Sequence, residues 1–284
     1  MEIKEMIALA RKAQAAYQVQ FDQDDVDQTI KLAARAIFDN AEELARMAVE
    51  ETEMGVYEDK VAKNRNKSKG VWNNLKGKKS MGILSIDEMT GLIEIAKPIG
   101  VVAGITPMTN PIVTPMSKII FALKTKNAII ISPHPKAKKC SAAAVKAIIK
   151  AIAPMNVPEG MVQVIEEPSL EKTQELMRKC DTVVATGGMP MVKSAYSLGK
   201  PSFGVGAGNV QVILDRNIDY DLAAGKSLPD DRLITELSAP ESKAPYIQRS
   251  AAKRFLKPLD ATKVMLYRRS YANRLLTPFL PMEL

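Results

Sequence analysis

The sequence predicts a doubly wound α/β fold: an open parallel sheet with helices on both faces, preceded by N-terminal helices and a hairpin. Three observations carry that prediction. From residue 99 onward, short runs rich in Val and Ile alternate with longer stretches of helical spacing. The strand-like runs lack polar alternation, as strands buried on both faces of a parallel sheet do. Finally, 284 residues with 46% hydrophobic and 25% charged side chains have the ordinary composition of a globular protein with a buried core.

The first 75 residues read as helices. Ile3, Met6, Ile7 and Ala10 fall on one face, as do Ile30, Ala34, Ile37, Phe38, Ala41 and Leu44, and both stripes are expected to face a core. Asp24 and Asp25 are expected to start the second helix, and Gly55 to interrupt the pattern. Residues 79–97 read as two short strands joined by a polar turn ending near Gly91. Such a hairpin must cover its edges, and pairing with a second subunit is one way to do so.

The regular alternation follows. "IGVVAGI" (99–105) reads as a buried strand and "NPIVTPMSKIIFALKT" (110–125) as a helix. "NAIIIS" (127–132) is a strand and "CSAAAVKAIIKAIA" (140–153) a helix. "MVQVIE" (161–166), "SLEKTQELMRKC" (169–180), "DTVVAT" (181–186) and "GMPMVKSAYSLG" (188–199) continue the series, and "NVQVILD" (209–215) adds a strand. Ligands of such sheets sit at the carboxyl ends of the strands.

Composition narrows the partners. The net charge of +8 is uneven: residues 226–284 carry 11 Lys/Arg against 6 Asp/Glu, the remainder 29 against 26. No nucleic-acid-reading motif accompanies the basic tail, so nucleic acid is not an expected partner. No run of eighteen apolar residues exists, so no membrane span is expected. The N-terminus lacks the continuous apolar centre of a signal peptide. Cys140 and Cys180, far apart, offer neither a disulfide framework nor metal-ligand spacing, which fits a reduced, cytoplasmic setting and no metal.

Four stretches carry candidate chemistry. "FGVGAGN" (203–209) spaces Gly204, Gly206 and Gly208 two apart. A dinucleotide fingerprint needs G-x-G-x-x-G after a strand and before a helix, because the pyrophosphate rests on that helix's N-terminus. Here the third glycine is one place early and a strand-like segment follows. The better phosphate candidate is "ATGGMPMVKSAY", where a strand ends at Thr186, Gly187 and Gly188 bare their amides and a helix begins at once; a tight structural turn would favour the same pair. "TPMTNPIVTP" places Thr106, Thr109 and Asn110 at the mouth of the sheet, as donors to a developing oxyanion or as caps of the next helix. His134, the only histidine, follows the second strand between two prolines. Alone, it anchors neither a metal cluster nor a Ser/His/Asp triad, and it lines an adenosine site or finishes a loop.

Together these stretches resemble the CoA-acylating branch of the aldehyde dehydrogenase superfamily. The matching pieces are "AVEETEMGVYEDKVAKN" (48–64), "KPIGVVAGITPMTNPIVTPM" (97–116), "ISPHPKAKK" (131–139) and "ATGGMPMVKSAYSLGKPSFGVGAGN" (185–209). The first looks most like succinate-semialdehyde dehydrogenases, with acetaldehyde dehydrogenases next. The resemblance implies a Rossmann-like cofactor-binding domain over residues 1–226 that takes NAD or NADP without G-x-G-x-x-G, with a small aldehyde and CoA as substrates. It places Thr106, Pro107 and the residues up to Asn110 at the nicotinamide and oxyanion region, with Thr109 or Asn110 as the oxyanion donor. His134 and Pro135 go by the adenosine, and Gly187, Gly188, Val192 and Gly206 by the pyrophosphate. The hairpin becomes the arm of a homo-oligomer. Hydrolytic members carry a glutamate base at about Gly204; acylating members have glycine there, so the thioester survives until CoA takes the acyl group.

The family's chemistry also needs a cysteine thiolate to attack the aldehyde. It should lie shortly after residue 226 in a stretch resembling "NGIICSGEQS". The chain instead reads "AAGKSLPDDRLITELSAPESKAPYIQRS", and no cysteine follows Cys180. Cys140 and Cys180 do not match the motif and read as packing residues. Sliding the frame back one base, from the last base of the Lys226 codon, permits "IITGR" continuing through "NGIVCSGEQS". Residues 227–284 are therefore expected to be an out-of-frame, poorly ordered tail, leaving a truncated chain inactive as a dehydrogenase. The rival expectation is a non-catalytic nucleotide-binding or regulatory paralogue whose tail binds a partner.

Overall fold

The computed structural model describes residues 1–206 together with residues 219 and 222. Residues 1–206 form one unit, and the strand expected over 209–215, Gly208 and the tail from 227 lie outside the described residues. Four helices open the chain: α1 (Ile3–Gln20), α2 (Gln23–Asp39), α3 (Ala41–Thr52) and α4 (Tyr57–Leu75). Ile3, Met6, Ile7 and Ala10 are buried along α1, and Ile30, Ala34 and Ile37 along α2, as their spacing predicts.

Two details differ from the sequence reading. Asp22, not Asp24 or Asp25, is the N-cap of α2; its carboxylate accepts from the Asp24 and Asp25 amides, and Asp25 closes the capping box. The second stripe is not one face. Asn40 breaks the helix, so Ala41 and Leu44 belong to α3, while Phe38 is left 40% exposed. Gly55 does separate α3 from α4, at φ 90°, a conformation only glycine adopts freely.

The hairpin forms where expected. Antiparallel β1 (Gly82–Asp87) and β2 (Leu92–Ala96) meet at a turn that Asp87 ties by accepting from the amides of Met89 and Thr90. The other strands make a five-stranded parallel sheet in the order β5-β4-β3-β6-β7. These are β3 (Val101–Ile105), β4 (Ala128–Ser132), β5 (Val162–Val164), β6 (Thr182–Thr186) and β7 (Ser202–Val205). Helices α5 (Val113–Lys124), α6 (Lys138–Ile152), α7 (Leu170–Lys179) and α8 (Met189–Tyr196) connect them. β3 and β4 are buried throughout, which is why they read as unbroken apolar runs.

β7 was not foreseen. Its four residues alternate half-buried and exposed and contain Gly204 within the stretch read as a loop. The first strand lies centrally, its successors β4 and β5 to one side and β6 and β7 to the other. The order therefore reverses between β3 and β6, and the crevice at their carboxyl ends is the topological switch point of the sheet.

Candidate cofactor-binding site

The backbone that leaves β3 passes through Thr106, Pro107, Thr109 and Asn110 before α5 begins at Val113. Thr106 is 2% exposed, and its hydroxyl oxygen has no hydrogen-bond partner among the described residues. The Asn110 amide oxygen is likewise buried without a partner, while its Nδ2 reaches Thr109 Oγ1 only at 3.5 Å. Neither side chain caps α5, whose N-cap is Ile112 and makes no side-chain cap bond. The capping alternative for Asn110 and Thr109 is thus not what their side chains do. Thr106 Oγ1 and Asn110 Oδ1, with the Tyr17 hydroxyl on α1, are the buried side-chain polar atoms without a hydrogen-bond partner among the described residues, where such groups are nearly always paired.

Helix starts at the strand ends differ in the same way. The start of α6 is closed by the Glu51 carboxylate, which accepts from the amides of Lys139 at 2.8 Å and Cys140 at 2.7 Å. The start of α7 is capped by Ser169, which accepts from the Lys172 amide. Only α5 and α8, among these four helices of the described residues, lack a side-chain cap. Those two follow β3 and β6, the strands that flank the switch point. Gly188 is the N-cap of α8 and is exposed, with Pro190 in the first turn. The Gly187 amide is taken by the Val205 carbonyl at 3.2 Å, so the open amides begin at Gly188. Gly206 lies against the same helix start, close enough that a Cβ there would stand 2.8 Å from Met189 Sδ.

Val192 is buried on α8 and points at Gly204, where an added Cβ would stand 2.6 Å from its Cγ1. His134 lies two residues beyond β4 and is exposed, with Pro135 opening a short 3-10 turn; its Nδ1 accepts from the Lys136 amide at 3.2 Å. Desolvation of its ring, helped by the Lys136 charge, pulls its pKa below the ordinary histidine value.

Two features escaped the sequence reading. A small cleft between α4 and the β3–α5 loop is lined by Lys60, Lys63, Asn64, Thr109 and Asn110. Lys118 is buried within α5, and its ammonium donates to the carbonyls of Ile105 and Val184 at 2.5 Å each. The available signal was a lysine set among the buried Met116, Ile119, Ile120 and Leu123 of an apolar helix.

The cysteines are not nucleophiles in this geometry. Cys140 and Cys180 are both buried, and burial pushes both thiols up, with the adjoining Glu51 carboxylate adding to the effect at Cys140. No group of three His, Cys, Asp or Glu side chains able to hold a metal ion exists among the described residues.

A parallel sheet whose order reverses between β3 and β6, with open helix starts on either side, is a doubly wound α/β domain with its ligand crevice at the switch point. Comparison with known proteins makes this specific: residues 1–261 match the model of the aldehyde dehydrogenase family, and the chain belongs to that family. It is 49% identical over 224 residues to the succinate-semialdehyde dehydrogenase (acetylating) of Clostridium kluyveri, covering 79% of this chain and 49% of that protein. The chain thus spans about half the length of that relative. The solved acetylating aldehyde dehydrogenase of Geobacillus thermoglucosidasius is similar over 92% of this chain and 58% of its own, with TM-score 0.84 and 35% identity. Rhodopseudomonas palustris propionaldehyde dehydrogenase, solved with bound propionyl-CoA, is similar over 92% of this chain and 57% of its own, with TM-score 0.78 and 31% identity.

Proposed function

We propose that this chain is the dinucleotide-binding part of an NAD- or NADP-dependent, CoA-acylating aldehyde dehydrogenase. The whole enzyme converts a short aldehyde (succinate semialdehyde or acetaldehyde) and CoA to the acyl-CoA. One observation carries the reading: the two uncapped helix starts flank the switch point, with the unpaired Thr106 and Asn110 atoms in the loop that leads into α5. Thr106, Pro107, Thr109 and Asn110 border the nicotinamide, and Thr109 or Asn110 donates to the oxyanion of the substrate. The amides from Gly188 onward, beside Gly187, Val192 and Gly206, take the pyrophosphate, and His134 and Pro135 the adenosine. The bound dinucleotide supplies hydride acceptance; the chain's own residues bind and orient it. The acetylating and propionyl-CoA-binding relatives support CoA as the acyl acceptor.

The nucleophile is absent from this chain, so dinucleotide binds without turnover. The missing cysteine motif after residue 226 is the ground for an out-of-frame origin of the tail; the family match, which runs on to residue 261, weighs against it over residues 227–261. Ile83, Ile86, Leu92, Ile93 and Ile95 are exposed on the hairpin, and an isolated two-stranded hairpin is marginal in water. That supports a homo-oligomer in which a second subunit covers the hairpin. The setting is cytoplasmic, and no described helix is long and apolar enough to cross a membrane.

Fluorescence titration of the full chain with NADH and NADPH should give saturable binding of at least one. Incubation with NAD+ or NADP+, CoA and either aldehyde should yield no reduced cofactor. Absence of binding to either dinucleotide refutes the reading, and turnover refutes the assignment of inactivity. Sequencing the source DNA across the Lys226 codon tests the frame: a restored frame encoding the cysteine motif means that a complete enzyme exists, the sequence as it stands followed by codons for that motif in another frame means a true frameshift, and the absence of such codons in any frame rejects the out-of-frame origin.

A further inference from the structure

Lys118 is a cation in the wrong place for a packing residue. It is 7% exposed, on the sheet-facing side of α5, and its ammonium binds two carbonyls on neighbouring strands. Ile105 is the last residue of β3 and Val184 sits on β6, so the charge lies beneath the switch point itself. One residue beyond Ile105 is Thr106, whose hydroxyl is unpaired. A carboxylate would neutralise the ammonium; among the described residues its hydrogen-bond partners are the two carbonyls, which do not.

The ionisable groups that neighbouring elements bring toward α5 are few. Asp27 on α2 is engaged with Lys124 at the far end of α5. Lys60 and Lys63 on α4 line the cleft beside Val113. On α6 the only buried one is the Cys140 thiol, held protonated by burial and Glu51. β3, β4 and β6 contribute none. Burial alone lowers the Lys118 pKa, to about 7, so the charge is present on part of the molecules at neutral pH and absent above it.

We propose that Lys118 sets the preference of this site between oxidised and reduced dinucleotide. The nicotinamide ring of the oxidised form is a cation and that of the reduced form is neutral, while the rest of the two molecules is identical. A buried ammonium beneath the ring's seat repels the first and is indifferent to the second. With Lys118 charged, the site favours the reduced cofactor; with Lys118 neutral, that bias is gone. His134 and every other group facing the shared adenosine and pyrophosphate act on both forms equally and cancel in the ratio. The inference rests on the dinucleotide reading above.

The test is a pair of binding titrations on the full chain, NAD+ and NADH (or NADP+ and NADPH), from pH 6 to 9. The ratio of the NAD+ dissociation constant to that of NADH should fall about tenfold as pH rises through neutrality, the scale of one buried charge acting on another. Linkage adds a readout that needs no variant: NAD+ binding near pH 7 should release a fraction of a proton, and NADH binding should not. Calorimetry in buffers of different ionisation enthalpy measures that fraction. Lys118→Met should give a ratio independent of pH, and Lys118→Arg, charged throughout, a constant high ratio. A pH-independent ratio and no proton release in the unmodified chain overturn the proposal while leaving dinucleotide binding intact. Failure of both forms to bind removes the underlying reading instead, and the proposal with it.

Discussion

Gly204→Ala tests how tightly β7 is seated on α8. An added Cβ would stand 2.6 Å from Val192 Cγ1 and 2.9 Å from Tyr196 Cε2, against an ordinary carbon–carbon contact of about 3.5–4.0 Å. Neither neighbour yields easily. Val192 is 4% exposed and β-branched, with essentially one side-chain rotamer open to it in a helix. Tyr196 is held by its hydroxyl, which accepts from the Gly204 amide at 3.0 Å and donates to the Gly204 carbonyl at 3.2 Å. Forced overpacking of this kind costs about 1–3 kcal/mol.

Urea unfolding of the full chain, followed by far-UV circular dichroism, measures that cost. In a chain of this size each kcal/mol also lowers Tm by about 2–4 °C. Val192→Ala removes the nearest obstructing atom, so Gly204→Ala should cost about 1 kcal/mol less in that background, a coupling of the size expected for touching residues. Gly204→Glu should lose more stability than Gly204→Ala, because the crevice has no room for a carboxylate while α8 stays in place. A Gly204→Ala variant within about 0.5 kcal/mol of the parent, or a zero coupling to Val192, would refute the packing argument.

Three further outcomes are expected. Asp27→Ala strands the Lys124 ammonium, whose side chain is 4% exposed, and should cost about 3–5 kcal/mol; Lys124→Met should cost less, because Asp27 is 19% exposed and keeps its bond from Gln23. A reversed order in urea unfolding contradicts that account. For Glu51, burial alone would raise the pKa, but the amide and thiol of Cys140 and the amide and charge of Lys139 hold it below its ordinary 4.5. Its contribution is present above that value and lost as pH falls through the lower folded one, so the stability gap between the parent and Glu51→Gln should narrow in acid, read as urea midpoints across that range. Both cysteines should resist Ellman's reagent in the native chain and react in denaturant; rapid native labelling of either would show an accessible thiol that the structure lacks.

The sheet was legible where burial is two-sided. β3 and β4 are continuous apolar runs because every residue in them is covered, and their shortness and Val/Ile content set them apart from a buried helix. β7 was illegible because an edge strand of four residues containing a glycine has neither the run nor a clean alternation. Phe38 was misplaced because spacing alone cannot register the single residue, Asn40, at which a helix stops and another starts on a new axis. Thr106 and Asn110 could be nominated from their place after a strand, but not the absence of partners for their oxygens, which depends on everything packed around them. Lys118 was passed over because counting apolar residues along α5 discards the polar ones, and spacing does not show which of those is buried.

The cap on α6 shows why the site emerges only in three dimensions. In sequence, the helices after β3, β4, β5 and β6 are equivalent candidates for an anion, since each begins where a strand ends. Ser169 closes α7 locally, and a reader of the sequence can see it. Glu51 closes α6 from 88 residues earlier, at the end of a helix belonging to the N-terminal segment. That one long-range carboxylate removes the start of α6 from contention and leaves the pair astride the switch point. Leaving buried polar atoms unpaired costs about 1–3 kcal/mol each. Among the described residues that cost is carried by the Tyr17 hydroxyl on α1 and by the Thr106 and Asn110 oxygens, the last two in the loop that leads to the uncapped start of α5.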